Sequence, residues 1–169
     1  MDTILYEKLL AASFRYLSVR LRSTYETKKY LEGKIQKWHK EDVHVMPAVV
    51  TRLEELGYLD DLKFSRWLVE SRMRNKPKGI RFIKQELIQK GIDKGLIEEA
   101  FSKEQLSKTS ETDNARKAIE KKLFFWTKLP RLEFKKKVYG FLGRRGFSED
   151  TIRKIVDEVV ENNYNTENS

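Results

Sequence analysis

The chain has 169 residues, of which 39% are hydrophobic, so it can bury a core and is too apolar for a disordered protein. It contains no cysteine, which excludes disulfides and thiolate chemistry, and no apolar run near the ~20 residues that cross a bilayer. Its 35 lysines and arginines outnumber 26 acidic residues, and this net charge of +9 indicates a polyanion or an acidic protein as partner. The first residues lack a secretory signal, so we expect a cytoplasmic protein that does not enter a membrane.

Apolar residues recur at helical spacing along the whole chain, and no segment alternates as a strand does, so the pattern predicts an all-α fold. The first apolar stripe consists of Leu10, Phe14, Leu17 and Leu21. Ser23 and Glu26 have the spacing of a capping box, which predicts the start of a second helix. A third helix follows Pro47 and ends at Gly57.

The middle of the chain repeats this three-helix pattern. Asp60 or Asp61 is placed to cap the first of these helices, since a carboxylate accepts hydrogen bonds from first-turn N–H groups. The apolar stripe of that helix consists of Phe64, Trp67, Leu68 and Ser71. A second helix begins after Gly79 and ends at Gly91, because glycine favours the turn just past a helix. Asp93 caps a short third helix.

Three more helices are predicted in the C-terminal part of the chain. Residues 103–113 are polar and have no apolar stripe, so we expect a linker there. Pro130 and Ser148 suit the starts of the last two helices. The run Phe124-Phe125-Trp126 cannot face one core, because successive helical residues point about 100° apart. At least one of these rings is therefore exposed or packs on a neighbouring unit.

A short helix-end phrase, an apolar residue followed by a basic residue and a glycine, recurs in the chain. It occupies residues 87–92 and 142–147, and a shorter version occupies residues 31–35. Such recurrence predicts tandem repeats of one supersecondary unit. The expected segments are three three-helix repeats at residues 1–59, 60–102 and 114–161, the polar linker 103–113, and a flexible tail at 162–169.

The basic residues are concentrated in the first two predicted helices of each repeat. Residues 15–40 hold eight basic and two acidic side chains, residues 63–94 hold ten and three, and residues 116–145 hold eleven and two. A single charged helix face is usually just solvated, but its repetition favours one basic stripe that binds a polyanion or an acidic surface. No cluster of base-reading side chains stands on one helix, which disfavours sequence-specific DNA recognition.

No catalytic or metal-binding constellation is evident in the sequence. Helix capping explains the adjacent Asp60 and Asp61 more simply than acid–base chemistry does. Gly140, Gly143 and Gly146 have the wrong spacing for a dinucleotide loop and follow no predicted strand. We therefore predict that the chain is not an enzyme.

A run of motifs in the middle of the chain has a distinctive order and spacing. It consists of Leu56-Gly57-Tyr58-Leu59-Asp60-Asp61, Phe64, Arg72, Gly79-Ile80-Arg81 and residues 86–92. This run resembles the RecX family of recombinase regulators. The likeness is strongest over residues 53–101, and it extends to the first repeat through Arg20 and Glu26 and to the third through Arg145-Gly146-Phe147.

The resemblance implies an elongated, curved array of helix-turn-helix-like repeats that needs no cofactor. It also implies a protein that lies in the groove of the RecA filament on DNA and restrains the ATPase and recombinase activities of RecA; we expect a monomer. The motif residues expected to be structural are Gly57, Tyr58, Asp60, Asp61, Phe64, Gly79, Leu87, Gly91 and Gly146. Salt-sensitive contacts to RecA or to DNA phosphates are expected from Arg20, Arg22, Arg72, Arg74, Lys78, Arg81, Lys84, Lys135, Lys136, Arg144 and Arg145.

Two other functions fit the same sequence. Three-helix units also serve as helix-turn-helix modules, so the chain is alternatively a DNA-binding protein that acts alone. A third possibility is a helical-repeat scaffold for some other acidic protein. Tight, sequence-dependent DNA binding without RecA favours the first alternative, and capture of a protein partner after nuclease treatment favours the second.

Overall fold

The computed structural model of the protein describes residues 2–38, 44–75, 77–101 and 111–164. Within these ranges it contains nine α-helices and no β-strand, which confirms the predicted all-α class. The helices are α1 (Thr3–Leu17), α2 (Thr24–Lys37), α3 (Val45–Glu55), α4 (Asp61–Arg74), α5 (Ile80–Gln89), α6 (Lys94–Ala100), α7 (Glu111–Trp126), α8 (Arg131–Arg144) and α9 (Glu149–Tyr164).

Side-chain caps start several helices where the sequence predicts them. Ser23 and Glu26 form a complete capping box at the start of α2. The Asp60 carboxylate accepts a hydrogen bond of 2.8 Å from a first-turn N–H of α4, and the Ser148 hydroxyl accepts one of 3.3 Å from α9. These caps satisfy N–H groups that a helix leaves unpaired in its first turn.

Three helices end in the same left-handed glycine turn. Gly57, Gly91 and Gly146 follow α3, α5 and α8 with φ angles of 71°, 74° and 78°. In each turn, the N–H of the residue after the glycine donates to the carbonyl of the leucine four positions before the glycine. The shared pattern is therefore leucine, three residues, glycine and a large apolar or aromatic residue, and its first copy occupies residues 53–58.

The predicted copy of the helix-end phrase at residues 31–35 is wrong. These residues lie inside α2, which continues to Lys37, and Gly33 is a helical residue with open space around it. An apolar residue near a lysine is a pattern that any amphipathic helix carries. The glycine turn instead requires glycine four positions after the leucine, which residues 31–35 do not provide.

The chain forms two compact units. The first comprises Met1–Trp67 with Leu87–Ala100, and the second comprises Leu68–Glu86 with Phe101–Ser169. Helices α4 and α5 are therefore each divided between the units, although the sequence pattern assigns both to one repeat. The division into three repeats stays a prediction.

In the first unit, α1, α2 and α3 pack against one another. Their buried cluster consists of Leu5, Leu9, Leu31, Val45, Val49, Val50, Leu53 and Leu59. The stripe predicted for α1 is displaced, because the buried positions are Leu5, Leu9, Ala12 and Ser13, while Leu10 lies at the edge of the cluster. The helix ends at Leu17, so Leu21 lies outside it.

In the second unit, α7, α8 and α9 pack pairwise around another apolar cluster. Its buried members are Ala115, Ile119, Phe134, Val138, Leu142, Phe147, Ile152, Ile155, Val156 and Val160. Phe147, the residue after the glycine turn of α8, is part of this cluster. The turn therefore returns the chain directly into the core, where each large apolar side chain contributes about 1.5–3 kcal/mol of burial free energy.

Two predicted segment boundaries differ from the structure. Helix α7 begins at Glu111, so the last three residues of the predicted linker are helical. Acidic residues suit the first turn of a helix, and Glu111 and Asp113 both lie there. Helix α9 extends to Tyr164 into the predicted tail. The rest of the predicted linker and residues 165–169 lie outside the described residues.

Candidate functional site

The N-terminus of α2 is held by α4 and by the end of α5. The Ser23 hydroxyl, at the cap position of α2, donates to the carbonyl of Lys90 at 2.8 Å. The next residue, Thr24, donates its N–H to the Asp61 carboxylate at 2.7 Å. Asp61 therefore caps α2 from the first position of α4, 37 residues along the chain. We call this contact the first junction.

The N-terminus of α5 is held in the same way by α7 and by the end of α8. Gly79, at the position before α5, donates its N–H to the carbonyl of Arg145 at 2.9 Å. The next residue, Ile80, donates its N–H to the Glu111 carboxylate at 3.1 Å. Glu111 is the first residue of α7, as Asp61 is the first residue of α4. This second junction repeats the first, position for position.

Glycine is required at both junctions because a Cβ atom there would overlap a neighbouring residue. A Cβ atom on Gly91 would lie 2.5 Å from the Cβ of Tyr25 in the first junction. In the second junction, a Cβ on Gly146 would lie 2.6 Å from that of Phe82, and one on Gly79 would lie 2.0 Å from the Gly146 carbonyl oxygen. The basic residues that precede these glycines, Lys90 and Arg145, are thereby fixed next to the start of another helix.

The other motif residues also have structural positions. Tyr58 packs edge-to-face on Phe14, with ring centroids 4.9 Å apart, and Gly57 forms the turn after α3. Phe64 and Leu87 are buried. The glycine, aspartate and apolar positions of the motif therefore build helix ends, caps and cores. Asp60 caps α4, as the sequence predicts for one of the two aspartates, whereas Asp61 caps α2.

Glu26 binds two cations in the first junction. Its carboxylate accepts a hydrogen bond of 2.9 Å from the Arg20 guanidinium and one of 2.6 Å from the Lys90 ammonium. Burial opposes ionisation, but the bonds from Arg20, Lys90 and the Ser23 N–H outweigh it and lower the pKa of Glu26 from 4.5 to about 2. Much of the Arg20 charge is therefore neutralised within the protein.

Arg22 is held in a column of stacked groups. Its guanidinium lies 4.2 Å from the ring centroid of Tyr16, and Tyr16 stacks in parallel on Tyr30 at 4.0 Å. The Lys34 ammonium lies 5.2 Å from the Tyr30 centroid. The Nε atom of Arg22 is buried and has no hydrogen-bond partner among the described residues. Stacking on tyrosine therefore fixes the orientation of this guanidinium.

Arg72 forms a two-pronged ion pair with Glu86, with bonds of 2.8 and 2.6 Å from Nε and Nη2. The side-chain hydrogen bond to Glu86 raises the pKa of Arg72 above its ordinary value. The pair joins α4 to α5 within the second unit. Arg72 thus contributes to packing as well as to surface charge.

Replacing the Arg72 guanidinium, which donates both hydrogen bonds of this pair, is expected to lower stability slightly. Because lysine cannot donate two parallel hydrogen bonds, Arg72→Lys should reduce the free energy of unfolding by about 1 kcal/mol, a value limited by solvent screening of the half-buried pair. The control is Arg74→Lys, since the Arg74–Glu70 pair is exposed and should change stability little. Urea unfolding measures the stability of both variants. Equal losses of unfolding free energy would contradict the structural role of the Arg72–Glu86 pair.

Several other predicted contact residues lie in the second unit. The ammonium of Lys78 lies 4.0 Å from the Phe82 centroid, and that of Lys84 lies 5.4 Å from the Phe101 centroid. The Arg145 guanidinium lies 4.4 Å from the Phe141 centroid and donates to the carbonyl of Pro77 at 3.2 Å. Lys135 is half-buried, and the exposed members are Arg74, Arg81, Lys136 and Arg144.

The described residues show no grouping typical of a metal centre, since nowhere in them do three or more acidic or histidine side chains converge. Glu111 does gather three donors, from the backbone of Ile80 and the hydroxyls of Ser148 and Thr151, and this cluster caps helices. Within the same ranges, every helix is too short or too polar to span a bilayer.

Comparison with known proteins identifies the family. A family model for the second three-helix domain of RecX matches residues 60–100, and one for the third three-helix domain of RecX matches residues 109–156. The regulatory protein RecX of Prosthecochloris aestuarii (strain DSM 271 / SK 413) is 33% identical over 160 residues, which cover 92% of this chain and 95% of that protein. The chain belongs to the RecX family. This confirms the resemblance found in the central motifs.

Other RecX proteins differ in length and share the fold. The regulatory protein RecX of Bacillus subtilis (strain 168) is 35% identical over 153 residues, and the match covers 90% of this chain but 55% of that protein. The chain thus spans about half the length of that relative. The crystal structure of RecX from Lactobacillus salivarius has a TM-score of 0.73 at 23% identity, covering 92% of this chain and 96% of that one. This likeness supports the fold. The relatives are named regulatory proteins, in line with the prediction of a RecX-family chain that is not an enzyme.

The sequence did not reveal which cations of this RecX chain are paired internally. Arg20 and Arg72 each bind a glutamate, and Arg22 stacks on tyrosine. The pairing of Arg72 with Glu86 spans 14 residues across a helix break, and no periodicity predicts which charges meet over such a distance. The pairing of Glu26 with Arg20 had one available signal, since the capping box fixes Glu26 in the first turn of α2 and Arg20 lies only six residues before it.

Proposed function

We propose that this RecX-family chain is a non-enzymatic regulator of RecA that binds the RecA–DNA filament groove through its basic residues and inhibits the ATPase and recombinase activities. The observation that carries the proposal is family membership, because a relative matched over 95% of its length is a regulatory protein. The resemblance of the central motifs implies RecA as the target. The excess of nine positive charges suits a filament that carries a DNA backbone.

The exposed cations are the strongest candidates for these contacts. Arg81, Lys136 and Arg144 are exposed, so their charges are available to phosphates or to acidic groups of a partner. Arg74 is also available, because an exposed ion pair such as the one with Glu70 is worth at most about 1 kcal/mol. Arg20 and Arg72 instead form ion pairs with glutamates of the same chain, which offset most of their charge. Their contribution to binding is therefore indirect.

The proposal is tested by measuring RecA ATPase and strand exchange with stoichiometric amounts of the chain. Inhibition should weaken as salt rises, since releasing counterions from phosphates drives this kind of binding. The triple variant Arg81→Gln, Lys136→Gln, Arg144→Gln should weaken inhibition roughly tenfold or more and reduce the salt dependence, because each lost phosphate contact removes about 0.9 from the slope of log affinity against log salt.

The matched control removes three exposed lysines outside the proposed contacts: Lys8→Gln, Lys63→Gln, Lys94→Gln. Both triple variants lose the same net charge, so equal weakening would mean that net charge alone matters and that the named residues carry no contact. No inhibition by the wild-type chain at moderate salt would contradict the proposal. Tight, sequence-dependent binding to duplex DNA without RecA would favour the alternative, a DNA-binding protein that acts alone.

A further inference from the structure

Three large apolar side chains are exposed near the loop between α7 and α8. Phe124 and Phe125, in the last turn of α7, are 66% and 67% exposed, and Leu132, in the first turn of α8, is 66% exposed. Phe124 and Phe125 lie edge-to-face, with centroids 5.2 Å apart and ring planes at 87°. We call Phe124 and Phe125 the aromatic patch.

Core packing does not account for the aromatic patch, because neither Phe124 nor Phe125 belongs to the buried cluster of the second unit or packs against it. The next residue, Trp126, does pack on the buried cluster of the second unit and meets Phe141 edge-to-face at 5.5 Å. The run thus divides as helical geometry requires, with one ring directed to the core and two to solvent. Exposed clusters of large apolar side chains commonly mark binding surfaces.

The surroundings of the patch are strongly basic. Lys117 and Lys121 are exposed and lie eight and four positions before Phe125, so they share one face of α7 with it. The Lys128 ammonium lies 4.3 Å from the Phe124 centroid. Residues 116–137 contain nine lysines and arginines against two glutamates. An aromatic patch surrounded by basic side chains fits a partner that combines flat apolar groups with negative charge.

We infer that the aromatic patch binds single-stranded DNA, with unpaired bases stacked on Phe124 and Phe125 and the phosphates paired with Lys117, Lys121 and Lys128. A single strand offers both groups at every nucleotide, a flat base and an adjacent charge. Duplex DNA offers only the charge, because its bases are already stacked on one another. The activity belongs to the chain alone and requires no RecA, so it goes beyond the regulatory function proposed above.

The experiment measures binding of fluorescently labelled oligothymidine to the full chain by anisotropy over a range of salt concentrations. Phe124→Ala and Phe125→Ala should each weaken binding about 5- to 150-fold, the loss expected from removing one base stack, without changing the salt dependence. The double variant Lys117→Gln, Lys121→Gln should instead reduce the salt slope by about 1.4, since each phosphate contact on a single strand contributes about 0.7.

Two controls separate stacking from charge. Val19→Ala removes another exposed apolar side chain, 76% exposed in the first unit, and should leave binding unchanged. An abasic oligonucleotide of the same length keeps the phosphates and removes the bases, so the wild-type chain should bind it as weakly as the Phe124→Ala, Phe125→Ala variant binds oligothymidine. Circular dichroism should show that all variants are folded, because the changed side chains are exposed.

Either of two results overturns the inference: equal binding of abasic and thymidine strands by the wild-type chain, or unchanged binding by the aromatic double variant. An acidic peptide that binds the patch more tightly than oligothymidine would likewise overturn it in favour of a protein partner. RecA inhibition is measured separately on the same variants. Its retention by a variant that no longer binds oligothymidine would show that the two functions are independent.

Discussion

Replacing Gly79 by alanine is expected to lower the free energy of unfolding by about 3 kcal/mol, although Gly79 has no left-handed backbone. The cause is space alone. A Cβ at this position would lie 2.0 Å from the carbonyl oxygen of Gly146 and 2.3 Å from the nitrogen of Phe147. These are backbone atoms, so no side-chain rotation relieves the overlap. The Gly79 N–H bond to the Arg145 carbonyl would also lengthen or break.

Other glycines of the chain separate the effect of space from that of backbone conformation. Gly57 has a φ of 71° and open space around it, so Gly57→Ala should cost only the left-handed strain of about 1–2 kcal/mol. Gly146 combines a φ of 78° with an overlap on Phe82, so Gly146→Ala should cost about 2–5 kcal/mol. Gly33 is helical and unobstructed, and Gly33→Ala should stabilise the chain by about 0.5–1 kcal/mol.

The order of these four variants in urea unfolding tests the second junction. We expect Gly33→Ala to be more stable than the wild-type chain, followed by Gly57→Ala, with Gly79→Ala and Gly146→Ala the least stable. If Gly79→Ala were as stable as Gly33→Ala, the close approach of α5 and α8 at this point would be wrong. A loss at Gly146 no larger than at Gly57 would show that conformation, and not contact, sets its cost.

The sequence predicted the local parts of this fold because their causes are local. The capping box at Ser23 and Glu26, the cap at Asp60 and the glycine stops at Gly57, Gly91 and Gly146 are each determined by residues within one turn. The division of the aromatic run at Trp126 followed in the same way from the angle between successive residues. These predictions needed no knowledge of which helices meet.

The junctions could not be predicted, because their partners are distant in sequence. Asp60 or Asp61 was expected to cap α4, and Asp60 does so, whereas the Asp61 carboxylate caps α2, 37 residues away. The Ser23 hydroxyl bonds to a carbonyl 67 residues away. Backbone carbonyls such as that of Lys90 carry no sequence signal. The sequence therefore identified the helix-end glycine as the residue that ends a helix. That the glycine also leaves room for another helix is evident only from the structure.

The candidate contact residues show the same limit. The sequence identifies the segments that are rich in basic residues, but it does not separate exposed charges from Arg20 and Arg72, which belong to internal ion pairs. Arg81, Lys136 and Arg144 have the exposure that the prediction requires. The RecX family itself was recognisable, because the motif residues that carry the resemblance are those with defined structural positions in caps, turns and cores.

Glu26→Gln is expected to destabilise the chain by up to about 3 kcal/mol at neutral pH. The lowering of the Glu26 pKa from 4.5 to about 2 corresponds to this amount, because each step of one in pKa is about 1.4 kcal/mol. Glutamine keeps the size of the side chain and an oxygen for the Ser23 N–H, so the variant removes mainly the charge. Arg20 and Lys90 are about one-third exposed, and solvent reduces the loss below this limit.

The pH dependence gives the sharper test. Since the folded-state pKa lies below the ordinary value, the stability from Glu26 is fully present above pH 4.5 and is lost as the pH falls towards 2. The wild-type chain and Glu26→Gln should therefore differ most near pH 7 and converge near pH 2. Glu32→Gln, an exposed site on the same helix, serves as the control and should change stability little at any pH. If the stabilities of the wild-type chain and Glu26→Gln differed by the same amount from pH 7 down to pH 2, the ion-pair assignment would be contradicted.

The same variant connects stability to binding. Removing the Glu26 charge leaves Arg20 and Lys90 without their anion, so both cations become available to an external phosphate. If Arg20 lies at the proposed contact surface, Glu26→Gln should weaken folding and yet strengthen salt-dependent inhibition of RecA. A variant that is less stable and inhibits no more strongly would assign Arg20 to the first junction alone, and the contacts would then lie with the exposed cations Arg81, Lys136 and Arg144.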